Sequence, residues 1–290
     1  MHRRTLLVAL ASLTAGCVSA PGTTVRDEFR LANLAVTTNT ERPSARYVVE
    51  PSAYYTADAV ERERQDSAEP IVVQNVSDIE DSAVREVVKE VLTDGVWRSN
   101  ITPQGLRETV ERVDFFTGYG GGDADAHIGL EFYELDPDAA PPIHFDATIV
   151  DDRVSADSPG ALEFTLRNTG EEAQEVFSGT VPPFGVLRAS RVDAAESFNF
   201  WRDYENEGCV FFGEQGIGVC SIGIITGMAP GEELTRRYVV LHPTTDRHPE
   251  YMAPPGPGRY RVAGSNTYNT GNQAPSSTLS YAVEFDLDAL

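Results

Sequence analysis

Short alternating segments separated by glycine and proline make up the second half of this 290-residue chain. Apolar and polar residues alternate over residues 162–167 and again over residues 279–287, where every second side chain is apolar. A period of two is the repeat of a β-strand, and the half shows no clear 3.6-residue helical repeat. Residues 141–290 are therefore predicted to form an all-β domain, with two packed sheets as the simplest arrangement.

Three turn motifs in this half resemble the pattern of immunoglobulin-like domains. Asn168-Thr169-Gly170 ends a strand, Pro230-Gly231-Glu232 precedes a long strand, and Pro257-Gly258-Arg259-Tyr260 opens a strand near the C-terminus. The same order occurs in bacterial proteinase inhibitors of the BsuPI type. The resemblance implies an immunoglobulin-like β-sandwich over residues 141–290. It also makes extracellular proteinase inhibition one functional hypothesis.

Residues 45–138 mix helical and strand patterns. A helix is predicted from the capping-box spacing of Ser77 and Glu80, with Gly95 after its end. Its apolar stripe consists of Val84, Val87, Val88, Val91 and Leu92. With strands predicted near residues 46–50, 70–74 and 127–135, the expected fold is a small α+β domain of two helices on an antiparallel sheet.

The second helix of this domain is predicted to begin with Thr102 as its N-cap and Pro103 at its first position. Residues 81–88, followed by the helical segment at residues 104–107, resemble the sequence of small modules of unknown function in haloarchaeal surface proteins. The resemblance implies a fold and a kind of cell, and it implies no activity.

The charge of the chain is strongly one-sided. Asp and Glu number 45 against 23 basic residues, which gives a net charge of −22, and Lys89 is the only lysine. Such self-repulsion opposes a compact fold, but salt at about 1 M shortens the Debye length to about 3 Å and screens it. The surface resembles those of halophilic archaea, so we predict adaptation to salt. Nucleic acid is not expected as a partner, because its phosphates would be repelled.

Residues 1–16 have the pattern of a signal peptide, with Arg3 and Arg4 before an apolar run that is too short to span a bilayer. The paired arginines followed by Thr-Leu-Leu resemble the twin-arginine export signal, which carries folded proteins. Residues 13–17, Leu-Thr-Ala-Gly-Cys, resemble a lipobox, with Thr14 where leucine is usual. The resemblance implies cleavage before Cys17 and attachment of lipid to its thiol.

The expected location is therefore the extracellular face of the cell membrane, with residues 17–44 as a polar tether that has one strand near residues 31–36. Two alternatives remain. A free secreted protein would be cut after Ala20, although Pro21 disfavours that cleavage. An uncleaved anchor is disfavoured by the short apolar run.

The chain has three cysteines. With Cys17 assigned to lipid, Cys209 and Cys220 remain as one pair in an oxidising compartment. They flank two apolar arms around a glycine-rich tip, and a four-residue loop at residues 213–216 would place the two cysteines opposite each other at a non-hydrogen-bonded position of a hairpin. A disulfide is predicted. The alternative is two buried free thiols.

Candidate sites for modification and metal binding are few. Asn75 and Asn100 lie in Asn-x-Ser/Thr sequons, which predict N-glycosylation of a surface protein, although the sequon hydroxyls also serve as predicted helix caps. His242, Asp246 and His248 could hold a transition metal, but their spacing matches no known motif. No catalytic residue and no cofactor are predicted.

Three functional hypotheses follow. The first is a non-enzymatic surface lipoprotein whose β-sandwich serves binding or envelope structure. Its partners would be the membrane, through the lipid, and other envelope or secreted proteins. The second hypothesis is an extracellular proteinase inhibitor. The third is a metal-dependent enzyme that uses the two histidines.

Overall fold

Strands dominate the computed structural model, which describes residues 28–118, 126–155, 157–213, 216–241, 252–271 and 274–290. Three α-helices occur in this part of the chain: α1 (Ala57–Asp66), α2 (Ser82–Asp94) and α3 (Leu106–Arg112). The strands are β1 (Phe29–Glu41), β2 (Tyr47–Thr56), β3 (Val73–Asn75), β4 (Trp97–Ser99), β5 (Phe115–Thr117), β6 (Ala126–Glu134), β7 (Ile143–Val154), β8 (Pro159–Asn168), β9 (Gln174–Ser178), β10 (Arg188–Arg191), β11 (Ser197–Asn199), β12 (Val210–Gly213), β13 (Gly216–Val219), β14 (Ile224–Met228), β15 (Glu233–Val239), β16 (Gly258–Asn269) and β17 (Ser277–Ala289). None of the described helices is long and apolar enough to cross a membrane.

Ten strands form one large antiparallel sheet. Its main order is β11-β10-β16-β17-β1-β7-β8-β15, while β9 pairs with β16 and with β14. The two ends of the sheet meet: Trp201, just after β11, and Val239 in β15 exchange backbone hydrogen bonds of 2.9 and 2.8 Å. The sheet therefore curves round one apolar interior.

That interior is rich in aromatic side chains. The predicted apolar face of the last strand is confirmed, because Leu279, Tyr281, Val283, Phe285 and Leu287 are all buried. Tyr281 stacks on Phe145 with ring centroids 4.1 Å apart. Gly264 lies opposite Tyr281 on β16, and a Cβ there would come within 2.3 Å of the tyrosine oxygen. A glycine is required at this position because the ring fills the space that a side chain would need.

Two of the predicted turn motifs meet in the structure. The buried Asn168 donates from its side chain to the carbonyls of Glu172 and Met228. Its own side-chain oxygen accepts from Gly170 N–H, and its backbone carbonyl accepts from Gly231 N–H. One asparagine thus joins the Asn-Thr-Gly turn to the Pro-Gly-Glu turn.

The strand predicted near residues 31–36 is confirmed, but it is longer, Phe29–Glu41, and it belongs to the β domain rather than to a tether. These residues form β1, which pairs with β17 along most of its length and with β7 at its start. Phe29 and Leu31 are buried in the core. The Thr and Asn residues further along the strand give it the composition of a polar linker. The β domain therefore includes β1, and the segment from β2 to β6 is inserted between β1 and β7.

The inserted segment contains a five-stranded sheet, in the order β3-β5-β6-β2-β4. The antiparallel sheet predicted here is corrected to a mixed one, because β3 and β5 run parallel. The predicted stripe of α2 is confirmed: its five side chains are buried in one cluster with Val49, Phe116 and Ile128. The prediction of two helices missed α1, in which only Val60 is buried and most residues are charged.

Both predicted N-caps are corrected. Asp81 caps α2 and accepts from Ala83 N–H and Val84 N–H, whereas Ser77 lies in a 3-10 turn before it. α3 begins after Gly105, three residues beyond the predicted Thr102. The predicted end of α2 is confirmed at Gly95, which has φ +82° and donates its N–H to Val91.

Candidate binding surface

The residues around β14 carry no charge. The sixteen residues from Gly216 to Gly231 contain no Asp, Glu, Lys or Arg, although 23% of all residues are charged. The stretch forms β13 and β14 and the turn between them. Exposed apolar side chains are concentrated here and on adjoining strands: Phe177, Phe211, Val219, Ile222 and Ile225. These five residues are called the apolar surface below.

The centre of the apolar surface is a pair of side chains on neighbouring strands. Phe177 on β9 lies opposite Ile225 on β14, and they are 51% and 63% exposed. The Phe177 ring also covers Gly223, where a Cβ would come within 2.5 Å of it. Large apolar side chains thus face solvent side by side on two strands.

β14 is an edge strand. Within the described residues it pairs only with β9, through five residues from Ile224 to Met228. Its other side presents backbone N–H and C=O groups that a further strand could pair with. Neither β14 nor the turn before it carries the lysine or proline that commonly blocks pairing at an exposed edge.

A disulfide-bridged hairpin precedes β14. Cys209 and Cys220 are bonded, with Cα atoms 5.3 Å apart, so the predicted disulfide is confirmed. Phe212 lies opposite Ile217 as predicted, but the strand pairing extends one step further, to Gly213 and Gly216. The prediction also placed the cysteines at a position without backbone hydrogen bonds between them. In the structure, Cys220 N–H donates to Cys209 O at 3.0 Å.

The two faces of the hairpin differ. Val210, Phe212 and Ile217 pack against the main core. Phe211 points to the opposite face, is 58% exposed and covers Gly218. The bridge fixes the base of the hairpin next to β14, and the side chain of Thr180 donates to the Cys220 carbonyl at 2.8 Å.

An ion pair and two tyrosines lie behind the hairpin. Arg202 pairs with Glu207, its side chain is only 11% exposed, and its guanidinium lies 5.6 Å from the centre of the Tyr238 ring. Trp201 contacts both Tyr204 and Phe212, with ring centroids 5.5 and 5.8 Å apart. These contacts connect the hairpin to the closing point of the large sheet.

The two tyrosines have a structural role. Burial raises the pKa of Tyr238 to about 12, although the nearby Arg202 lowers it in part. Burial also raises the pKa of Tyr204 far above its usual range. Both hydroxyls stay protonated at neutral pH and donate to backbone carbonyls, of Gly185 and Phe200 respectively. Neither group is poised to act as a base.

The segment 198–204 and nearby Phe184 are rich in aromatic side chains, which occur both in contact surfaces and in cores. The structure places Phe198, Phe200, Tyr204 and Phe184 in the core. Aromatic content therefore did not indicate the apolar surface. The lack of charge from Gly216 to Gly231 does not single it out either, because the longer stretch from Val262 to Val283, in β16 and β17, is also without charge.

The remaining predicted sites are distributed as follows. Cys17, His242, Asp246 and His248 lie outside the described residues. In the part of the chain that is described, no group of three or more His, Cys, Asp or Glu side chains could hold a metal ion. Asn75 is half-buried at the end of β3, and Asn100 is exposed in the turn after β4.

Comparison with known proteins gives one family match. Residues 134–249 match the model of a family described as Domain of unknown function (DUF8130). The match runs from the end of β6 past β15, so it contains β9, the bridged hairpin and β14, but not β1, β16 or β17. No curated protein matches the chain. Its function must therefore be argued from geometry.

Proposed function

We propose that this chain is a lipid-anchored protein on the outer face of a salt-adapted cell, and that it binds another envelope or secreted protein. The β domain, with β1 included, is interpreted as an immunoglobulin-like sandwich. The proposed partner contributes an extended segment, which adds as a strand to β14. The observation that carries the proposal is the exposed edge of β14 beside Phe177 and Ile225.

The backbone of β14 selects the kind of partner. Unpaired N–H and C=O groups along an edge are matched by another strand, and strand addition is a common way of binding extended peptides. Lipid offers no such partners, so a membrane would leave these groups unsatisfied. A protein segment with apolar side chains fits both the backbone edge and the pair formed by Phe177 and Ile225.

Charge supports the same surface. A chain of net charge −22 repels other acidic proteins, and burying a charged side chain at an interface is costly. The stretch from Gly216 to Gly231 allows close contact without local charge repulsion and without burying a charged side chain. Two copies of this chain meeting edge to edge would bring together two strongly acidic molecules, a repulsion that salt reduces, and a less acidic protein avoids it altogether; a different protein is therefore the proposed partner.

The anchor and the cysteines support the location. The lipobox resemblance at residues 13–17 implies lipid at Cys17, and β1 begins only twelve residues later, which would keep the β domain near the membrane. The disulfide between Cys209 and Cys220 agrees with an oxidising compartment. The meeting of two turn motifs at Asn168 supports the immunoglobulin-like interpretation.

The proposal is tested by photo-crosslinking in native cells in molar salt, with p-benzoylphenylalanine in place of Ile225. The matched control carries the same residue in place of Val192, which is also exposed and lies next to β10, away from the apolar surface. A crosslink to one defined protein from position 225 and none from position 192 is expected. Adding Phe177→Asp should abolish it.

Several outcomes would reject strand addition to another protein. These are equal crosslinking at both positions, adducts with lipid alone, or adducts only with a second copy of this chain. A crosslinked protease whose activity the purified protein blocks would replace the proposal with proteinase inhibition.

A further inference from the structure

The two sequons occupy very different surroundings in the folded chain. Asn75 ends β3, next to β5. Its Oδ1 accepts hydrogen bonds from both the backbone N–H and the hydroxyl of Ser77, at 2.9 and 2.7 Å. The amide also lies against Gly118, where a Cβ would come within 2.4 Å of Asn75 Nδ2. The nitrogen that a sugar would modify is thus held against the backbone of Gly118.

Asn100 is exposed. Its Oδ1 accepts from the backbone N–H of Arg46 at 3.0 Å, which holds the oxygen towards the protein and leaves Nδ2 on the solvent side. Asn100 Nδ2 has no hydrogen bond to any described residue. The next residue, Ile101, is 80% exposed.

Space is also available beside Asn100. An open cleft of about 480 Å³ is lined by this residue together with Arg46, Glu134 and Asp136. Carboxylates and a guanidinium are good hydrogen-bond partners for sugar hydroxyls. The cleft thus leaves open space beside Asn100 for the first sugar of a glycan.

We propose that Asn100 carries an N-linked glycan and that Asn75 is left unmodified. This inference rests on the proposed export, because a chain that crosses the membrane folded meets the glycosylation machinery with Asn75 already covered. Exposure in the fold then decides which sequon is used. The hydroxyl of Ser77 donates to the side chain of Asn75 itself, whereas that of Thr102 donates to the Pro103 carbonyl at 3.3 Å and does not bond the side chain of Asn100.

The test is mass spectrometry of peptides from the mature protein purified from its native cells in molar salt. A glycan is expected on the peptide that contains Asn100 and none on the peptide that contains Asn75. Asn100→Gln and Thr102→Ala should both remove the glycan mass from the intact protein, while Asn75→Gln should leave it unchanged. Thr102→Ser, which keeps the sequon, is the matched control.

Thr102→Ala keeps the hydrogen bond between Asn100 and Arg46, so its result does not depend on how well Asn100→Gln folds. A glycan on Asn75, or its absence from both peptides, would overturn the inference. The same spectra report whether Cys17 carries lipid. Failure of the glycan inference is therefore distinguishable from failure of the proposed anchoring.

Discussion

At Asp81, one carboxylate oxygen accepts hydrogen bonds from the backbone N–H groups of Ala83 and Val84, at 2.8 and 3.0 Å. The first turn of an α-helix has amides without partners inside the helix, and this side chain satisfies two of them. At the other end of α2, Gly95 adopts the left-handed conformation that closes many helices. Single residues thus set both ends of the helix that holds the core of the inserted segment.

We expect Asp81→Ala to lower the free energy of unfolding by about 1 kcal/mol, because the two amides lose their acceptor. Glu80→Ala is the control, since Glu80 is exposed and has no capping bond. Denaturant unfolding of both variants in molar salt measures the difference. Equal losses would show that Asp81 does not act as the cap.

The ends of α2 and the start of α3 could be predicted from sequence only in part. Gly95 was predicted correctly because few other residues adopt a left-handed conformation easily. The predictions of Ser77 and Thr102 as N-caps were wrong, because several residues before each helix have a side chain that can cap it. The direction in which the chain enters the helix decides among them, and that direction depends on tertiary contacts. The apolar stripe of α2 was predicted fully, since burial follows directly from its period.

Among the elements, strands with strong alternation were predictable and weakly patterned ones were not. β17 has apolar residues at every second position and was recognised from them. β1 was mostly taken for a tether, because its outward face is Thr and Asn, and its central place in the sheet depends on strands more than a hundred residues away. α1 has few apolar residues, of which only Val60 is buried, so it lacks the broad apolar stripe of α2.

The pairing of β16 with β17 provides a test of core packing. Gly264→Ala should lower the free energy of unfolding by about 1–3 kcal/mol, because its new Cβ would overlap the buried ring of Tyr281. Gly227→Ala in β14 is the control, since no atom lies within 4 Å of the position its Cβ would take. Denaturant unfolding compares the two. A neutral Gly264→Ala would mean that the ring can move aside.

The candidate binding surface was not predicted from sequence at the element scale either. Residues 219–225 form one mostly apolar run, yet the structure divides it between β13 and β14 with a turn between them. Which side of β14 is exposed depends on its being the last strand on that side. No local pattern carries that information.

At the scale of the whole molecule, charge is the dominant property. A net charge of −22 spread over one chain favours expanded states unless salt screens it. The described surface contains exposed ion pairs such as Arg30 with Asp152, and such pairs contribute little individually. Stability is therefore expected to depend on the solvent.

We predict that the unfolding midpoint rises as salt increases from about 0.1 M to about 1 M, because the Debye length falls from about 10 Å to about 3 Å. Thermal unfolding followed by circular dichroism measures it. The double variant Glu171→Gln with Glu172→Gln removes two exposed charges without known ion pairs and should need less salt. A midpoint independent of salt in the parent chain would contradict salt adaptation.

The neighbouring positions of β1 and β17 have a consequence for biosynthesis. Strand β1 finds its longest partner in β17, which comes after all the other strands of the sheet in the sequence, and Leu290 N–H bonds Glu28 O at 2.9 Å. Until β17 is available, β1 lacks its longest partner and the large sheet cannot close. The apolar residues of β1 must therefore stay unburied while the whole segment between the two strands is made, so the large sheet can complete its folding only as one late step.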